Sequence, residues 1–144
     1  MTHEDAGHYA AKHPDAKIDK RIAAAIAAKQ SDARIACAAA HAIAGQHNCS
    51  PHIVGVNIDL LEQRINQCQL GLFGHGSDKG KSIAAASPVA PDLKAAIHAA
   101  MDDGRVTCAA AWNVAAQLNL KKIEVACACE TLQVKICQCQ LGAF

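Results

Sequence analysis

Apolar positions along the chain follow the same succession of spacings twice. Residues 19–30 (DKRIAAAIAAKQ) and 92–101 (DLKAAIHAAM) are Ala-rich with apolar positions at helical spacing, which predicts a first helix in each half. Asp92, just after Pro91, is the expected N-terminal cap of the second of these. Each helix is expected to stop at a polar turn, SDAR (31–34) or DDGR (102–105). A very short extended stretch follows, Ile35-Ala36-Cys37 or Val106-Thr107-Cys108, and then a second helix over 38–46 or 109–117. Breaks at HNCSP and LNLK lead to third helices over about 50–62 and 121–131, the first with Ser50 as cap and Pro51 as its first helical residue. Each half closes on a segment that reads as a strand, RINQCQLGLF (64–73) or KICQCQLGAF (135–144). Alternation in the first places Cys68, Leu70 and Leu72 on one face and Ile65, Gln67 and Gln69 on the other.

The two halves are an internal repeat. Ile22–Phe73 lies on Leu93–Phe144 without a gap at an offset of 71, and roughly two in five positions are identical. The best-matched stretches are CAAAHAIAGQHN against CAAAWNVAAQLN, and the closing CQLG-x-F. Two copies are too few for a solenoid. The expected organisation is a polar, His-containing N-terminal tail (1–18), a first unit (19–86), a Pro-containing linker (87–91) and a second unit (92–144).

The order helix, short strand, helix, turn, helix, strand hairpin resembles the winged helix-turn-helix superfamily. So does the pattern A-x-x-x-A…V at Ala40, Ala44 and Val54, and again at Ala111, Ala115 and Val125, where a small residue lets two helices cross closely. The resemblance implies a mainly α fold with small β-wings (α+β), present as two tandem winged-helix units. It makes CQLG-x-F the first strand of each wing, Ser82–Ala86 the returning strand of the first wing, and the second wing truncated. It also implies DNA contact through the third helices and the wing. The candidates are His52, Asn57 and Gln63 in the first unit, Lys79 and Lys81 in its Gly-rich wing, and Lys121 and Lys122 in the second unit.

Charge weakens the DNA expectation. The formal net charge is only +1, and the first third helix holds Asp59 and Glu62 but no Lys or Arg. Its apolar residues Ile53, Val54, Val56, Ile58 and Leu60 suit a protein partner instead. The chain is 51% hydrophobic but only 3% aromatic, so thin cores built from Ala, Ile, Leu and Val are expected. With no signal-like N-terminus and no uncharged apolar run long enough to cross a bilayer, a cytoplasmic protein with no membrane partner is expected, and a homodimer is compatible with the sequence.

In that setting the eight cysteines read as thiols rather than disulfides. The winged-helix resemblance places Cys37 near Cys68 and Cys108 near Cys139 as paired structural thiols. Cys137 and Cys139 sit at strand spacing and share a face, so with Cys108 they could offer three thiolates to Zn, Cu or an Fe–S cluster. Cys127 and Cys129 are weaker candidates, because positions i and i+2 of a helix face apart. Trp112 replaces His41 at the same repeat position, so both are expected to pack. The stretch GHGSDKGKS (74–82) misses the phosphate-loop spacing, with five residues between Gly74 and Gly80. His3, His8 and His13 recur every five residues, on neither a helical nor a strand face. No catalytic constellation stands out, and an enzyme is not expected. The expected function is a small DNA-binding regulator, with thiol-based metal or redox input in the second unit. The alternatives are an accessory protein that binds a protein partner, and a cysteine-rich metal-binding protein.

Overall fold

The computed structural model describes residues 7–75 and 88–144. The chain forms two compact units: Met1–Cys68 together with Gln140–Phe144, and Gln69–Cys139. Among the described residues no helix is long and apolar enough to cross a membrane.

Unit 1 holds a short 3-10 helix (Tyr9–Lys12), α1 (Lys20–Lys29), β1 (Arg34–Ala36), α2 (Cys37–Gln46), α3 (Pro51–Leu60) and β2 (Arg64–Asn66). Asp19 caps α1, its carboxylate accepting from the backbone N–H groups of Arg21 at 2.9 Å and Ile22 at 3.4 Å. Those hydrogen bonds, Arg21's first, hold its carboxyl below the usual carboxylate range. Ile22 and Ile26, one turn apart, form the buried stripe of α1, which packs on α2 and α3. Ser31 and Arg34 bridge through backbone hydrogen bonds of 2.8 and 3.0 Å around Asp32 and Ala33, both left-handed. That is the geometry of a two-residue hairpin turn, and Ala33 takes a conformation that favours glycine, at φ 58°. Its N–H donates to Gln30 Oε1 at 3.0 Å. The repeat places Gly104 at that position, where φ is 73°.

The expected small residues do lie at the crossing of α2 and α3: Ala40, Ala44 and Val54 are buried. Ser50 caps α3 by accepting from Ile53 N–H, with Pro51 at the first helical position, as expected.

Unit 2 repeats the order with α4 (Pro91–Ala100), β3 (Arg105–Thr107), α5 (Cys108–Leu118), α6 (Lys122–Thr131) and β4 (Lys135–Cys137). Leu93 and Ile97 form the stripe of α4, while Ala111, Ala115 and Val125 are buried where α5 meets α6. The cap of α4 is Ala90 rather than Asp92. Pro91 already occupies the first helical position, so the helix takes in the last residue of the expected linker, and Asp92 accepts from Leu93 N–H inside the first turn.

The strand after the first helix pairs with the strand after the third, but in parallel: Arg34 with Arg64, Ile35 with Ile65, and Ala36 with Asn66. Unit 2 matches this with Arg105–Lys135, Val106–Ile136 and Thr107–Cys137. The expected ten-residue closing strands are only three residues long. Gln67 and Gln138 adopt left-handed φ values of 49° and 51°, which breaks the alternation immediately after each ladder. Ile65, Cys68 and Leu70 are therefore all buried, where strict alternation would have put Ile65 on the opposite face. CQLG-x-F is a turning segment, with Gly71 and Gly142 also left-handed, and not a wing strand. The expected returning strand Ser82–Ala86 and the wing residues Lys79 and Lys81 lie outside the described residues, as does His3.

The closing phrases also mark where the chain changes unit. Unit 1 ends its main run at Cys68 and unit 2 at Cys139, and Gln140–Phe144 then completes unit 1. The sequence repeat and the spatial unit are offset by one phrase.

Candidate nucleic-acid interface

The third helix is the element expected to read DNA, and the two units use it differently. In α3, Asn57 is 3% exposed and its amide is committed to the fold. Its Oδ1 accepts from Asp19 N–H at 2.8 Å, and its Nδ2 donates to Ile53 C=O at 3.0 Å. Asn57 therefore fixes the start of α1 and cannot reach a base edge without unpacking, which corrects its expected role. Asp59 is buried too, with Oδ2 at 2.7 Å from His13 Nε2 and 3.4 Å from Lys12 Nζ. Just beyond the helix, Glu62 accepts from the N–H groups of Tyr9 at 3.0 Å and Ala10 at 2.8 Å. The part of the polar N-terminal tail around Tyr9–His13 is thus laid across α3 by two carboxylates. Gln63 is half-buried, and among the described residues its Oε1 has no hydrogen-bond partner. Of the first unit's third-helix candidates only His52 is exposed, beside exposed Ile53.

In unit 2 the corresponding helix opens on cations. Lys121 is the N-terminal cap residue of α6 and is exposed. Glu124 turns back so that Oε2 accepts from Lys121 N–H at 2.7 Å, the acidic half of a capping box. Lys122 places its ammonium 4.5 Å from the centroid of the Trp112 ring. Trp112 is half-buried, so it serves as a platform under this lysine as well as packing in the unit. Asn113, Gln117 and Asn119 are exposed on and after α5. At the start of α6 Lys121 is exposed, while in α3 the amide of Asn57 and the carboxylate of Asp59 are taken up by the fold and His52 is left exposed.

The repeat alignment sharpens this difference. Lys121 and Lys122 stand where unit 1 has Ser50 and Pro51, a favourable helix start. A lysine at a helix N-terminus faces the positive end of the macrodipole and costs roughly 0.3–1 kcal/mol. Unit 2 carries two there.

The thiols do not assemble as expected. Among the described residues no three Cys, His, Asp or Glu side chains are placed to hold a metal ion. Among the described residues no cysteine is in a disulfide; Cys37, Cys68, Cys108 and Cys129 are buried, and Cys49, Cys127, Cys137 and Cys139 are half-buried. The end of the ladder at Cys137 and the left-handed Gln138 turn the chain between Cys137 and Cys139, so the strand spacing that would have aimed both thiols one way is lost. Burial, helped by the neighbouring Glu130, pushes the Cys129 thiol up to about 11, away from the thiolate that a metal would need. Cys37 and Cys108 each begin a helix immediately after a ladder strand, as small buried groups.

No known family model matches the chain, and no curated protein or solved structure matches it.

Proposed function

We propose that the chain is a non-enzymatic DNA-binding protein of regulatory type, built from two repeated three-helix units of helix-turn-helix type, with the second unit making the duplex contact. The observation that carries this reading is the Lys121–Lys122 pair at the start of α6. It stands where the other copy has a Ser-Pro helix start, at an electrostatic cost to α6. A cost retained at an exposed position points to a use for the charge, and phosphate is the natural counter-ion. In this reading the start of α6 approaches the backbone, and Asn113 and Gln117 supply neighbouring polar contacts. Unit 1 acts as a partner domain whose third helix is covered by the N-terminal segment.

The test is a titration of the reduced full chain onto mixed-sequence duplex DNA across a salt series from about 50 to 200 mM. Binding that weakens steeply with salt is expected, and K121Q/K122Q should lower the log–log slope by about 1.8. No binding at the lowest salt would remove the reading. The alternative, a protein partner, would then take its place, favoured by Ile53 and Phe144, which are 44% and 46% exposed and belong to the same unit.

A further inference from the structure

The parallel ladders bring together charges that the linear sequence keeps 30 residues apart. Arg34 is the register partner of Arg64, and Arg105 is the register partner of Lys135. Register partners on a parallel pair project to the same face. Ile35 and Ile65 point inward in unit 1, which leaves Arg34 and Arg64 side by side on the outer face, both exposed. In unit 2 Arg105 and Lys135 are likewise exposed at the first position of their strands.

Like charges facing each other across a strand pair are destabilising. Carboxylates that could relieve the repulsion are close in the chain: Asp32 before Arg34, and Asp102 and Asp103 before Arg105. Among the described residues none of them forms an ion pair with these cations. The other half of the relationship lies in the repeat, where a cation occupies both ladder positions in both copies although more than half of all positions differ. Position 34 keeps Arg as Arg105, and position 64 changes from Arg to Lys without losing its charge. A repulsive pair rebuilt in two copies, with no counter-ion among the described residues, is a place for an external anion.

We propose that each ladder start is a phosphate-binding site, with the two register-paired cations closing on one phosphate group. The forked guanidinium of Arg34 or Arg64 can present two N–H donors to two phosphate oxygens, while Lys135 acts as a point charge. The unit 1 site is the stronger of the two. It has two forks and one neighbouring carboxylate, whereas the shallow cleft of about 220 Å³ beside Arg105 is also lined by Asp102 and Asp103. The phosphate could come from a nucleic-acid backbone or from a free anion. The sites are separate from the start of α6 and do not depend on the reading given above.

The experiment is an amide NMR titration of the full chain. The probes are inorganic phosphate against chloride at constant ionic strength, and a mixed-sequence duplex. Phosphate is expected to shift the signals of Ala33, Arg34 and Arg64, and more weakly those of Arg105 and Lys135. The R34Q/R64Q variant should lose the first set of shifts while unfolding at or slightly above the temperature of the parent, since the repulsion between the paired cations is gone. If the source is a backbone, the duplex moves the same signals, and R34Q/R64Q lowers the salt slope of duplex binding by about 1.8. Phosphate shifts at the ladders without any duplex binding would uphold the site, assign it to a free anion and defeat the DNA reading alone. No ladder shifts with either probe would overturn the proposal. If K121Q/K122Q still weakened duplex binding in that case, the DNA reading would survive without it.

Discussion

The backbone carbonyl of Leu141 lies over Gly55 so closely that a Cβ on Gly55 would sit 1.8 Å from its oxygen. This contact explains why the closing phrase is part of unit 1. Gly55 is buried in the middle of α3, where glycine is a poor helix residue, and its missing side chain is the space in which the last residues pass. Leu141 and Ala143 are buried there. The repeat counterpart of Gly55 is Ala126, so unit 2 lacks this notch.

Gly55→Ala is therefore expected to destabilise, against the usual trend. In an unobstructed helix the change would add up to about 1 kcal/mol of stability. Here the clash is with backbone, which cannot rotate away, and a net loss of about 2 kcal/mol or more is expected. Urea unfolding measures it. Deleting residues 140–144 should lower the stability of the parent but cost the variant much less, because the clash has already displaced the segment. Equal losses in both backgrounds would show that Gly55 and Leu141 do not act together.

The tail contact gives a second expectation. Asp59 has 2% of its side-chain surface exposed, and its partners His13 and Lys12 are 20% and 33% exposed. Removing both partners in K12A/H13A leaves a buried carboxylate with no cation. A loss of about 1–3 kcal/mol is expected, and D59N in the same background should recover part of it by removing the buried charge. Denaturant midpoints of the three variants decide this. If K12A/H13A unfolds like the parent, the tail does not hold α3.

Helix order, the Ser50 cap, the repeat and the small residues at the helix crossing were all legible in the sequence, because each follows from local spacing or from a residue with one strong preference. The ladder length was not. Gln67-Cys68-Gln69-Leu70 alternates as a strand would, and nothing in a glutamine announces the left-handed φ of 49° that stops the strand at Gln67. The roles of Asn57, Asp59 and Glu62 were hidden for a different reason. Their partners Asp19, His13 and Tyr9 lie 38 to 53 residues away, and only the fold brings them together. The Arg34–Arg64 pair was missed in the same way, since its only sequence signal was the recurrence of cations at both repeat positions.

The cysteines should divide cleanly. A thiol reagent added to native protein near neutral pH is expected to modify Cys49, Cys127, Cys137 and Cys139 first, and Cys37, Cys68, Cys108 and Cys129 only on unfolding. Cys129 also adds a pH dependence. Its folded thiol lies near 11 against an ordinary 9.0, so the unfolded chain releases this proton first as pH rises. The contribution is fully present below about pH 9 and is lost progressively up to about 11. Cys129→Ala should flatten that part of the stability profile, and a slope unchanged by the substitution would assign it to other groups.

Lys121 allows stability and binding to be set against each other in one substitution. Lys121→Ser gives α6 the cap that Ser50 gives α3 and removes a cation from the positive end of the helix. Both effects favour the fold, and a gain of about 0.5–1.5 kcal/mol is expected. Lys122 and its contact with Trp112 are left in place. The same substitution removes one candidate phosphate contact, so duplex affinity should fall and the salt slope should decrease by about 0.9. A protein that becomes more stable and binds DNA less well would show that the lysine is kept for binding at the expense of the helix. A more stable protein with unchanged DNA binding would leave the charge at the start of α6 without that purpose, and would move attention to the cation pairs on the ladders.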